Sequence, residues 1–83
     1  MLDDETILTI RRQIPKVRKI INIRNYNQVM FVKYGGKAIE VTLNSLDLFD
    51  IRFMKGTGTC WNSDKTKAPI NNVDLYGFKE LFM

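Results

Sequence analysis

Histidine is missing from this sequence altogether. That excludes imidazole as a metal ligand, as the base of a catalytic triad and as the ordinary proton carrier near neutral pH. Cysteine occurs once, at Cys60, so neither an intramolecular disulfide nor a cysteine-built zinc site can form. As a nucleophile Cys60 lacks its customary imidazole partner; it is expected to be a buried or bystander thiol in a reducing compartment. No apolar run approaches the roughly 18–20 residues that a membrane helix needs. The chain opens on acids, Asp3-Asp4-Glu5, where a secretion signal would be basic. The expectation is a cytoplasmic protein with no membrane association, no metal and no cofactor.

Acid is absent from one long stretch. Between Thr6 and Ile39 there are eight basic residues and no acidic one: Arg11, Arg12, Lys16, Arg18, Lys19, Arg24, Lys33 and Lys37. From Glu40 onward five bases face six acids. The net charge of +4 is therefore a property of the N-terminal half, and it is free to gather on one surface.

What is present is ordinary globular material. A hydrophobic content of 45% is too high for a disordered chain, and 83 residues make one small domain, 1–83. Ile39, Val41 and Leu43 alternate with Ala38, Glu40 and Thr42, the period of a strand with one buried face. Phe49, Ile51 and Phe53 alternate with Leu48, Asp50 and Arg52 in the same way. Matching the apolar faces pairs Leu43 with Phe49, Val41 with Ile51 and Ile39 with Phe53. Glu40 then lies opposite Arg52 on the other face. Asn44 to Leu48 becomes a five-residue turn.

Gly35-Gly36 predicts a two-residue type I′ turn, whose central positions both need positive φ. That turn pairs Val32 with Ile39 and sets Met30 against Val41. It leaves Val29 and Phe31 on the opposite face beside Glu40 and Thr42.

At the N-terminus, Asp3 and Asp4 precede Ile7, Ile10 and Ile14 at helical spacing, and Pro15 stops the pattern. The spacing predicts a helix over about 4–13. Lys16 to Ile23 reads as either a β-branched edge strand or an irregular segment, and Asn25-Tyr26-Asn27 as a turn. Lys55 to Pro69 has a loop composition, with Thr57 to Trp61 as a candidate fourth strand. From Val73 to Phe82, Leu75, Phe78 and Phe82 fit one helical face with Asp74 as its N-cap. The fold class is α+β: an N-terminal helix, an antiparallel meander of three to four strands and a short C-terminal helix, with one or both helices covering the apolar sheet face. An edge strand leaves self-association open.

The segment Ile39-Glu-Val-Thr-Leu-Asn-Ser-Leu-Asp-Leu-Phe-Asp-Ile-Arg-Phe resembles a family of small proteins borne by bacteriophages and mobile elements. There an alternating strand ends in a Leu-Asn or Leu-Asp turn, and Asp-x-Tyr-x-Val-x-Phe begins the next. Asp47, Phe49, Ile51 and Phe53 hold those places, with phenylalanine for tyrosine. The family's closing segment is matched by Asn72, Val73, Phe78, Leu81 and Phe82, with Asp74 where a tyrosine is usual. Its Gly- and Ala-rich opening is replaced here by Pro15 to Asn27. The likeness covers roughly the last two-thirds of the chain. It implies a phage or prophage accessory protein and no catalytic site.

Candidate chemistry is sparse. Asp47 and Asp50 as a carboxylate pair are better explained as a turn former and a solvated strand position. Lys55-Gly56-Thr57-Gly58-Thr59 lacks the full P-loop pattern. The basic stretch stands above background, and Arg11, Arg12, Lys16, Arg18, Lys19 and Arg24 are the candidate partner-binding residues. Its bland alternative is a solvated face. The functional expectation is a non-enzymatic protein that binds a host macromolecule, for instance a host defence or replication protein. The alternative is a nucleic-acid-binding module using the basic half, with Tyr26, Phe31 and Tyr34 interleaved as stacking surfaces.

Overall fold

A computed structural model describes residues 2–22, 27–57 and 60–82. Helix α1 (Asp4–Gln13) begins where the aspartates predict, with the Asp3 carboxylate accepting from the Thr6 amide at 2.8 Å. The apolar stripe turns Ile7 and Ile10 into the core. Pro15 and a left-handed Lys16 (φ 58°) then reverse the chain into a sheet.

The sheet has six antiparallel strands: β1 (Val17–Asn22), β2 (Gln28–Lys33), β3 (Lys37–Leu43), β4 (Phe49–Thr57), β5 (Cys60–Ser63) and β6 (Ile70–Val73). Five run in sequence order from β1 to β5, and β6 pairs with β4. Strand β4 is the longest. Its residues Phe49 to Lys55 pair with β3; on its other edge β6 takes Phe49 to Ile51 and β5 takes Met54 to Thr57. The six strands exceed the expected three to four, because the segment after Pro15 forms the bulged edge strand β1, the loop-like segment after Lys55 contributes β5, and Ile70–Val73 adds β6. Residues 58 and 59, within the candidate fourth strand, lie outside the described residues, as do Asn25 and Tyr26 of the expected turn.

Between β3 and β4 the pairing is the one the alternation predicts: Leu43 with Phe49, Val41 with Ile51, Ile39 with Phe53, and Glu40 with Arg52. Asn44 shapes the connecting turn. Its Oδ1 accepts from the amides of Leu46 and Leu48 at 2.9 and 3.2 Å.

Between β2 and β3 the expected register is wrong by one residue. Phe31 lies opposite Ile39, Val29 opposite Val41, and Met30 opposite Glu40. Lys33 and Lys37 therefore flank a three-residue loop, Tyr34-Gly35-Gly36, with both glycines at positive φ. The physical reason is burial. This register puts the fully buried Val29 and Phe31 on the same side as Ile39, Val41, Phe49 and Ile51, under the helices. The two-residue turn would have sent that aromatic ring to the opposite face.

The helix-covered core is closed by the C-terminal segment, which is not the single helix expected from Val73. Val73 ends β6, and Asp74 accepts from the Tyr76 amide in a local turn. Helix α2 is one turn, Phe78–Leu81, preceded by Gly77. Leu75, Phe78 and Phe82 still reach the core, and Phe78 meets Phe49 edge-on at 5.6 Å. Gln13 ties this segment to α1: its Nε2 donates to the Leu75 carbonyl at 2.6 Å, and its Oε1 accepts from the Lys79 amide at 3.3 Å.

On the other side of the sheet Met30, Val32, Ala38 and Met54 form a second, smaller apolar cluster. Ile21 from β1 and Trp61 from β5 both pack on it, although three strands separate β1 from β5. Ile21 pairs with Met30 on the adjacent β2, and Trp61 lies on β5 next to the β4 strand that carries Met54. Among the described residues, no helix is long and apolar enough to cross a membrane.

Candidate functional site

Arg11 and Arg12 sit exposed in the last turn of α1, where cations complement the negative end of the helix dipole. The turn at Pro15 brings Lys16 back beside them. The three cations surround a shallow depression floored by Ile14 and Val17, with Leu8 on its rim. Leu8 is 46% exposed. No acidic side chain lines the depression. Among the described residues the one ion pair is Arg52 with Glu40, at 3.9 Å, so these cations carry no acidic partner.

The basic stretch does not form one patch. Arg18 turns away into a separate depression at the hairpin end of the sheet, with Lys33, Tyr34 and Trp61. Lys19, exposed, stands opposite Val32 and so faces the back of the sheet. Arg24 lies outside the described residues. Of the interleaved aromatics, Phe31 is fully buried and Tyr34 is 67% exposed, while Tyr26 is outside the described residues.

Other candidate groups resolve into structure. Asp47 takes a left-handed turn conformation at φ 58°. Asp50 is no free carboxylate on a solvated strand. It accepts from Asn44 Nδ2 at 3.1 Å and from the Asn72 amide at 3.2 Å, satisfying the irregularity where β6 meets β4. Gly56 belongs to β4, and Gly58 and Thr59 of the glycine-threonine run lie outside the described residues. Cys60 is exposed rather than buried. Among the described residues no charged or polar side chain is fully buried, and no cluster of Cys, Asp and Glu could hold a metal. Two carboxylates, the exposed Asp3 and the half-buried Asp64, are held below their ordinary range. Hydrogen bonding from Thr6, through its side chain and then its amide, lowers Asp3. Thr66 does the same for Asp64, its hydroxyl donating at 2.6 Å and its amide at 3.0 Å.

Sequence reasoning passed over Leu8 and Trp61. Leu8 sits beside the helical stripe rather than in it, and that offset is a readable signal. Trp61 is the sole tryptophan and stands in a polar stretch that reads as loop. Comparison with protein-family models, with curated proteins and with solved structures gives no match.

Proposed function

We propose that this chain is a non-enzymatic accessory protein of a phage or prophage, acting in the host cytoplasm by stoichiometric binding of a host protein. The observation that carries the proposal is the mixed surface at the end of α1: Arg11, Arg12 and Lys16 ring an apolar floor beside an exposed leucine. Cations around apolar area match the anatomy of a protein interface, with an anchor at the centre and a polar rim. Unpaired cations pay no cost of breaking an existing ion pair when an acidic partner arrives, and they steer its approach. The phage assignment rests on the resemblance carried by Asp47, Phe49, Ile51 and Phe53.

The test is affinity capture from bacterial lysate, with and without nuclease, comparing the native chain with an Arg11→Ala/Arg12→Ala/Lys16→Ala variant. A discrete protein should survive nuclease and be lost from the variant. Capture that disappears entirely on nuclease treatment would overturn the proposal.

A further inference from the structure

A second surface lies at the hairpin end of the sheet, apart from the Arg11–Lys16 depression. Its first element is a β-bulge. Val17 pairs with Lys33 and Lys19 with Val32, so Arg18 is the extra residue without a partner across the ladder. Bulges re-aim side chains, and Arg18 lines a depression of about 230 Å³. The second element is the three-residue loop, which holds Tyr34 out of the sheet at 67% exposure. The third is Trp61, half-buried on β5, which also lines the depression. Between them lie Gly35, Gly36 and Gly56, which present bare backbone. The Gly56 amide donates to the Gly36 carbonyl at 3.0 Å, so this glycine floor is pinned. No acidic side chain lines the site. Lys33 contributes to the wall, but its ammonium lies 5.9 Å from the Phe82 ring, so Arg18 is the cation the depression offers.

We propose that this depression is a stacking site for single-stranded nucleic acid. Tyr34 and Trp61 supply ring surface to a base, the side-chain-free floor lets a flat ring approach, and Arg18 takes the neighbouring phosphate. A duplex, whose base faces are hidden in its own stack, offers nothing to these rings. An acidic peptide would engage Arg18 alone. The site is independent of the protein-binding face, and the two fail separately.

Trp61 is the sole tryptophan, so its fluorescence reports on the site directly. The whole chain is titrated at low salt with a thymidine decanucleotide, a duplex of equal length, inorganic polyphosphate and polyglutamate. The single strand should quench Trp61 at concentrations where the other three do not. Tyr34→Phe should bind as the native chain does, and Tyr34→Leu should bind about tenfold more weakly, within the range of one lost stacked base. Arg18→Ala should weaken binding and make the salt slope shallower by about 0.7, the loss of one phosphate contact on a single strand. Arg11→Ala/Arg12→Ala/Lys16→Ala should stay within about twofold of the native affinity. The proposal is overturned by an absence of quenching, by equal quenching with polyphosphate or polyglutamate, by native affinity in Tyr34→Leu, or by loss of binding in the triple variant.

Discussion

A methyl group added at Gly56 would overlap the carbonyl oxygen of Cys60, whereas one added at Gly35 meets nothing within 4 Å. Both glycines have positive φ, at 157° and 80°. Gly35→Ala therefore carries conformational strain alone, about 1–2 kcal/mol. Gly56→Ala carries a steric clash with backbone as well and should lower the melting temperature more. A smaller loss at Gly56 than at Gly35 would contradict the close approach of β5 to β4. At Asp3 the effect is one of pH. The carboxyl is held below its ordinary value of 3.8 by Thr6, so its contribution is complete above that value and is lost as pH falls through the lower folded one. The difference in melting temperature between the native chain and Asp3→Ala should be constant near neutrality and shrink below pH 3.8.

Among the elements, β3 and β4 were legible because each alternates without a break, and two clean alternations admit one register. Strand β2 was legible as a strand but not in its register, because Val29-Met30-Phe31-Val32 is apolar throughout and carries no period. Its register then depends on the turn, and Gly-Gly serves a two- or a three-residue loop equally well. The short C-terminal helix is present, but it covers only Phe78–Leu81 rather than the whole stretch from Val73 to Phe82, for a related reason: Leu75, Phe78 and Phe82 reach one core through a turn plus a single helical turn. Strand β6 offers only Ile70 and Val73, too little to detect. At the binding surfaces, Arg11, Arg12 and Lys16 were visible as charge, but the bulge that separates Arg18 from them leaves no mark in composition. Unfolding by denaturant checks the registers. Phe31→Ala should cost about 3–5 kcal/mol and Ile51→Ala about 2–5 kcal/mol, since both are essentially unexposed. Phe53 is half-buried and should cost less than Phe31. Arg52→Ala should cost under about 1 kcal/mol, because its pair with Glu40 is long and its own side chain is 57% exposed. A small effect at Phe31 would restore the two-residue turn.

In the whole molecule, one sheet separates two apolar clusters of unequal size, and the covers differ in origin. On the back, Ile21 and Trp61 from the flanking strands β1 and β5 pack against the small cluster. The front is covered by α1 and the C-terminal segment, which come from opposite ends of the described chain and are joined through Gln13. That joint has a kinetic consequence. The contact from Gln13 to Leu75 spans 62 residues, whereas β3 and β4 meet across a five-residue turn. Closing the longer loop costs more entropy and rewards the chain only once the sheet exists to receive it. The β3–β4 hairpin should therefore be structured in the folding transition state, and the Gln13 tie should form after it. Ile51→Ala should slow refolding, while Gln13→Ala should leave refolding unchanged and accelerate unfolding. Stopped-flow rates across a denaturant series separate the two limbs. A refolding rate depressed by Gln13→Ala as strongly as by Ile51→Ala would place the closure of the helical cover before the barrier instead of behind it.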